Sequence, residues 1–212
     1  MERRAICISG SDGAGAGEVG RLVAEALGWR LVDEEIVLRA AREAGVEPHV
    51  VADVEQRKSF LARLLEDLHP PSAAATGYAF AGFVAPVPDE PRVESDDLRA
   101  LIRTAIEETA ARGDAVIVAH AASHALARRE DVLRVLVTAS SERRQERLAA
   151  ALSLEPNAAA RRVHAGDAGR ADYLKRFYGV GGELPTHYDL VLNTDRLDAE
   201  TAAELVLLAV RS

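Results

Sequence analysis

The stretch Ala5-Ile-Cys-Ile-Ser-Gly10-Ser-Asp-Gly-Ala-Gly15-Ala-Gly-Glu-Val-Gly20 decides the fold. Its apolar, β-branched start predicts a buried strand over about 4–9, and the alternating glycines predict a loop. A helix is expected from near Glu18, because Val19, Leu22, Val23, Ala26 and Leu27 recur at the spacing of a helix packed on a sheet. Gly28 stands where a left-handed C-terminal cap belongs. A glycine loop between a buried strand and a helix N-terminus offers several backbone N–H groups at the positive end of a helix dipole. That is a site for a phosphate.

Two motifs share these glycines. From Gly15, Gly15-Ala-Gly17-Glu-Val-Gly20 is a literal G-x-G-x-x-G, with the acidic Asp33-Glu34-Glu35 roughly 20 residues on, as a dinucleotide site requires. From Gly10, the frame Gly10-x-x-x-x-Gly15 is that of a mononucleotide phosphate loop, with Ala16 in place of lysine and Gly17 in place of serine or threonine. The residues between Ile8 and Gly15 make the turn long, which favours the second frame over the tight dinucleotide turn. A nicotinamide-dependent oxidoreductase stays open on the motif alone.

At 212 residues and 48% hydrophobic, the chain suits one α/β domain with a smaller appendage. No stretch is apolar enough to span a bilayer, and Met-Glu-Arg-Arg leads straight into the first strand, so a cytoplasmic protein without signal peptide or membrane contact is expected. The single cysteine, Cys7, alternates with Ile6 and Ile8 and reads as a small buried hydrophobe. A net charge of −8 argues against non-specific nucleic-acid binding. Lys58 and Lys175 are the only lysines among 26 basic residues, so an arginine carries less information here than usual.

Further strands are expected at Trp29–Asp33, Asp114–Ala119, Val132–Val137 and Tyr188–Asn193. Helices are expected over 34–44, in a stretch opened by Pro48 and closed by His69, over 95–112, 121–129, 138–151 and 161–177, and from Asp198 to Val210, with Pro156 as an interruption. Glu142, Arg143, Glu146 and Arg147 read as the polar side of their helix. Residues 70–93, with Pro71, Pro86, Pro88 and Pro91 around Tyr78, Phe80 and Phe83, read as a lid or a mobile insertion. Five strands alternating with helices predict a doubly wound parallel sheet.

The run Asp167-Ala-Gly-Arg170-Ala-Asp-Tyr173-Leu-Lys-Arg176-Phe-Tyr-Gly179, followed by Tyr188-Asp-Leu-Val-Leu-Asn-Thr194-Asp-Arg-Leu, resembles the cytidylate kinase-like family. Gly13 to Gly20, Asp33-Glu-Glu-Ile36 and Val116-Ile-Val-Ala-His-Ala121 extend the resemblance over most of the chain. It implies an α/β domain of the phosphate-loop nucleoside monophosphate kinase type. The core would comprise 1–33, 114–152 and 187–212, a monophosphate-binding arm 34–113, and a lid 153–186. The implied activity is transfer of the ATP γ-phosphate to CMP or a similar monophosphate, with ATP and Mg²⁺ as cofactors, nucleotides as partners and a homo-oligomer possible. Gly13, Ala14, Gly15, Ala16, Gly17 and Glu18 would hold the donor, Asp33 the acceptor, and Arg170 and Arg176 would close over the phosphates. No metal ligand is assigned.

Four positions depart from the family's cationic pattern. Gly17 stands where the family's loop has arginine, Glu34 where Asp-Arg-Glu-Ile has arginine, His120 where Gly-Arg-Gly has arginine, and Ala168 for the first arginine of Asp-Arg-x-Arg. Phosphoryl transfer depends on positioning and on cations around the transferring group. The loop instead carries Asp12 and Glu18, with no cation before Arg21. A relative that binds a nucleotide or partner without turnover is therefore the second expectation.

Overall fold

Parallel strands need crossovers, and each crossover here carries the helical periodicity of its stretch. The computed structural model describes residues 3–33, 95–119 and 122–211. The elements are β1 (Ala5–Gly10), α1 (Ala16–Leu27), β2 (Arg30–Val32), α2 (Ser95–Arg112), β3 (Ala115–Val118), α3 (Ala122–Ala125), β4 (Val132–Thr138), α4 (Ser141–Leu152), α5 (Pro156–Tyr178), a 3₁₀ turn (Pro185–His187), β5 (Leu190–Asn193) and α6 (Ala199–Val210). The helices expected over 34–44 and 48–69, the segment 70–93 and His120 lie outside the described residues.

All four strand pairings are parallel, in the order β2-β3-β1-β4-β5. β1 is central and every one of its residues is buried, which explains its unbroken apolar start. Its side chains alternate between two cores. Ala5 and Cys7 pack with Ile117 and with Ile102 and Ile106 of α2. Ile6 and Ile8 pack with Val135, with Val19 and Val23 of α1 and with Val206 of α6. The expected doubly wound α/β sheet is present. Burial pushes the Cys7 thiol up to about 12, so it stays a neutral, space-filling group.

Several boundaries differ from the sequence expectation for local reasons. α1 starts at Ala16, not near Glu18, because Gly15 takes the left-handed cap position (φ 89°) and Val19 N–H already donates to Gly15 O. Gly28 ends it in the left-handed conformation. α4 starts at Ser141 because the Ser140 hydroxyl accepts from Arg143 N–H. Pro156 does not interrupt a helix but opens α5, where the missing N–H costs nothing. α3 closes after one turn as Ala127 N–H bonds back to His124 O and Arg129 N–H to Leu126 O. Among the described residues no helix is long and apolar enough to cross a membrane.

Candidate functional site

In a parallel sheet all strands deliver their ends to one edge. β1 is followed by α1 on one face, while its neighbour β3 is followed by α3 on the other. A crevice therefore opens at the carboxyl ends of these two strands. The loop Ser11–Gly15 sits there.

Ala14 N–H bonds back to Ser11 O (2.9 Å), which folds the loop into a turn, and Ala14 itself is fully buried. Gly13 takes φ +79°, and a Cβ added to it would lie 2.7 Å from the Arg144 carbonyl oxygen. Both facts require glycine. Gly15 caps α1 without a side-chain hydrogen bond, so the cap residue leaves the first turn's N–H groups unbonded by a side chain of its own. Gly17 has open space where a side chain would project. The G-x-G-x-x-G frame does not describe the turn, because Gly17 and Gly20 lie inside α1.

Two arginines of α4 pack against the loop. Arg147 Nη1 donates to the carbonyls of Gly13 (3.2 Å) and Ala14 (3.4 Å) and to Thr194 Oγ1 (2.9 Å), and its Nη2 donates to Thr194 O (2.6 Å). The buried Thr194 hydroxyl donates to Ala14 O (2.8 Å). A trans peptide points its C=O and the next residue's N–H in opposite directions. Drawing the Gly13 and Ala14 carbonyls toward Arg147 therefore turns the N–H groups of Ala14 and Gly15 away from it. Arg144 is buried against the same loop and grips Asp167 of α5 with both Nη atoms (2.8 and 2.6 Å). That carboxylate holds the guanidinium firmly charged. Both arginines escape a sequence reading that assigns α4 a simple polar side. The available signal is their i, i+3 spacing on a helix that follows a strand ending at the crevice.

The carboxylates here stand differently. Glu18 is bound by Arg21 (2.6 and 3.2 Å), whose hydrogen bonds hold the acid below its usual range. Asp12 Oδ2 lies 3.3 Å from where a Cβ on Gly166 of α5 would sit. A groove of about 470 Å³ runs beside the loop, lined by Gly15, Glu18, Arg143, Arg147, Thr194 and Asp198 among others.

The other expected site residues fall in three places. Asp33 follows β2 at the same sheet edge, but β3 separates β2 from β1, so it stands roughly 10 Å to the side of the loop's strand. Arg170 points inward: Nε and Nη2 bind Glu183 (2.5 and 2.7 Å), and Nη1 approaches Gly10 O (3.4 Å) at the end of β1. Tyr188 donates to the same Glu183. Burial opposes the charges of this pair, and their mutual hydrogen bonds override it, keeping Glu183 below the usual carboxylate range. Arg176 points outward, half exposed, paired with Asp172 one turn away. Tyr173 and Leu174 pack with Phe177 and Tyr178 in a small cluster. His124 is packed between the rings of Tyr178 and His187, and burial pushes its pKa down.

The chain matches the model of the cytidylate kinase-like family over residues 5–196. A cytidylate kinase from Shewanella sediminis is 38% identical over 68 residues, 31% of this chain and 30% of that protein. The aligned part thus spans under a third of that curated relative. An uncharacterized protein from Eubacterium ventriosum superposes with a TM-score of 0.66 at 14% identity, covering 99% of both chains. Shikimate kinase from Bacteroides thetaiotaomicron superposes at 0.54 with 13% identity, again over 99% of both. These structures share the fold. Because the family match runs from the first residue of β1 to beyond the end of β5, the chain belongs to the cytidylate kinase-like family.

Proposed function

We propose that the protein transfers the γ-phosphoryl group of ATP to CMP or a similar nucleoside monophosphate. One observation carries this: a glycine loop at the crevice of a parallel sheet, with Arg144 and Arg147 of α4 fixed against it. Phosphoryl transfer asks a protein chiefly for positioned N–H donors and cations, and this edge supplies both. In this reading the backbone of Gly13 to Gly17 cradles the donor phosphates, and Arg147 sets the loop's conformation. Arg144 supplies charge. The groove beside Gly15 and Thr194 accommodates the donor's nucleoside part, and Asp33, at the same edge, holds the acceptor. Arg170 fastens α5 to the end of β1, while Arg176 stays in solvent.

Mg²⁺ would accompany ATP and neutralise developing charge on the phosphates. Among the described residues no three His, Cys, Asp or Glu side chains gather as a metal site. Asp12 is the carboxylate at the loop that would hold such an ion together with phosphate oxygens and water.

A second reading, nucleotide binding without turnover, draws on Ala16 and Gly17, which stand where a phosphate loop has its cation and hydroxyl. A coupled assay over the common monophosphates with Mg-ATP, run beside a nucleotide-binding titration, tests both. Turnover with CMP is the expected result. Mg-ATP binding without turnover on any monophosphate supports the second reading, and no nucleotide binding at all removes both.

A further inference from the structure

Arg144 is a confined cation packed against the loop. Its side chain is 7% exposed, whereas its partner Asp167 is 42% exposed on α5. The backbone of Arg144 packs directly on Gly13, and its Nη1 lies 3.5 Å from Asp12 O. The guanidinium therefore sits under the loop, with its fork turned to Asp167. Nε of Arg144 is buried and has no hydrogen-bond partner among the described residues. A buried guanidinium donor without an acceptor is rare, and it marks a fork whose donors are not all satisfied in this arrangement.

A carboxylate gripped by both Nη atoms presents two anionic oxygens in the pattern that two oxygens of a phosphoryl group would present. Asp167 is thus placed on Arg144 as a phosphate would be. α5 also approaches the loop at the preceding residue, where Gly166 leaves space for the Asp12 carboxylate. α5 thus meets α4 through Asp167 on Arg144, and meets the loop where Gly166 lies beside Asp12.

We propose that Asp167 is a positioning residue that occupies Arg144 in the ligand-free protein and yields it to a phosphoryl group of the nucleotide. This rests on the reading that the loop takes nucleotide phosphates. The exchange is physically balanced. Arg144 keeps a bidentate anion throughout, and Asp167, already well exposed, returns to water at little desolvation cost. Asp167 also keeps the fork pre-oriented, so that an arriving phosphate finds its donors in place. The cost is competition, because every phosphate bound must displace a carboxylate.

The sign of one substitution separates this from a merely structural ion pair. Tripolyphosphate and Mg-ATP are titrated by calorimetry into the wild type, Asp167→Asn and Asp167→Glu, with thermal unfolding as a check on folding. The expected result is tripolyphosphate binding to Asp167→Asn about tenfold tighter than to the wild type, with an equal or lower unfolding temperature. Asp167→Glu, which keeps the competing charge, should stay near the wild type. Should the Asn protein not fold, Asp167→Ser removes the same charge and carries the same expectation. A wild type that binds tripolyphosphate, beside an uncharged variant that binds it no tighter, overturns the proposal and leaves the phosphate-loop reading standing. Absence of tripolyphosphate and Mg-ATP binding in every protein overturns the phosphate-loop reading, and this proposal with it.

Discussion

The glycine loop and α4 face each other across the carboxyl edge of the sheet and divide one task between them. The loop has shape without a cation of its own: Gly13 in a left-handed conformation, Gly15 capping α1, Glu18 bound by Arg21. The helix has the charge, with Arg144 buried and Arg147 spread over four acceptors. A phosphate loop with a lysine unites the two roles in one segment. Here Arg147, about 130 residues further along the chain, shapes the loop by holding its carbonyls.

The largest effect on the charged side should come from Arg170→Ala. It would leave Glu183 without its guanidinium in a largely buried position, a change that costs about 3–5 kcal/mol. Chemical denaturation should show that loss, and a cost below about 1 kcal/mol would mean that the pair is an ordinary surface contact.

On the shape side, Gly13→Ala forces a side chain into a positive-φ position against the Arg144 carbonyl. Strain of about 1–3 kcal/mol, transmitted to α4, should weaken Mg-ATP binding by roughly tenfold or more. Unaltered affinity would show that the loop's conformation is not what the ligand reads.

Acid should dissolve the charged side in two stages. Burial lowers the His124 pKa, so its contribution to stability is complete above its ordinary value of 6.5 and declines as pH falls toward the folded-state value. Glu183 is also lowered, so its contribution is present above its ordinary 4.5 and declines as pH falls through its folded-state value. Urea unfolding across this range should show both declines, and Glu183→Gln should reduce the second, to which the other lowered carboxylates also contribute. A stability that rises on acidification would contradict both assignments.

The smallest effect belongs to Arg176→Ala. Its pair with Asp172 is half exposed, and such pairs contribute about 0–1 kcal/mol. Neither the melting temperature nor Mg-ATP affinity should move appreciably; a tenfold loss of affinity would return Arg176 to the site.

Much of the fold is legible in the sequence because local signals and long-range packing agree. β1 reads as buried because both of its faces meet apolar residues, and Gly28 and Gly179 mark helix ends by chirality alone. The site is less legible. Arg144 and Arg147 look like two charges on a polar helix until β4 and α4 are placed beside β1. Arg170 and Arg176 belong to one helix six residues apart, and only the packing of α5 on the end of β1 makes one a buried anchor and the other a surface charge. Thr194 shows the same limit, since its bond to Ala14 spans 180 residues.

The division between loop and helix is tested most directly at Arg147. Calorimetric titration of Mg-ATP into the wild type and into Arg147→Ala compares the site with and without the residue that holds the Gly13 and Ala14 carbonyls. Hydrogen bonds to a charged group contribute about 1.5–3 kcal/mol, so affinity should fall by about tenfold or more while the protein remains folded. Equal affinity in the two proteins would contradict the account, and so would tight, Mg²⁺-independent binding of NAD in place of ATP.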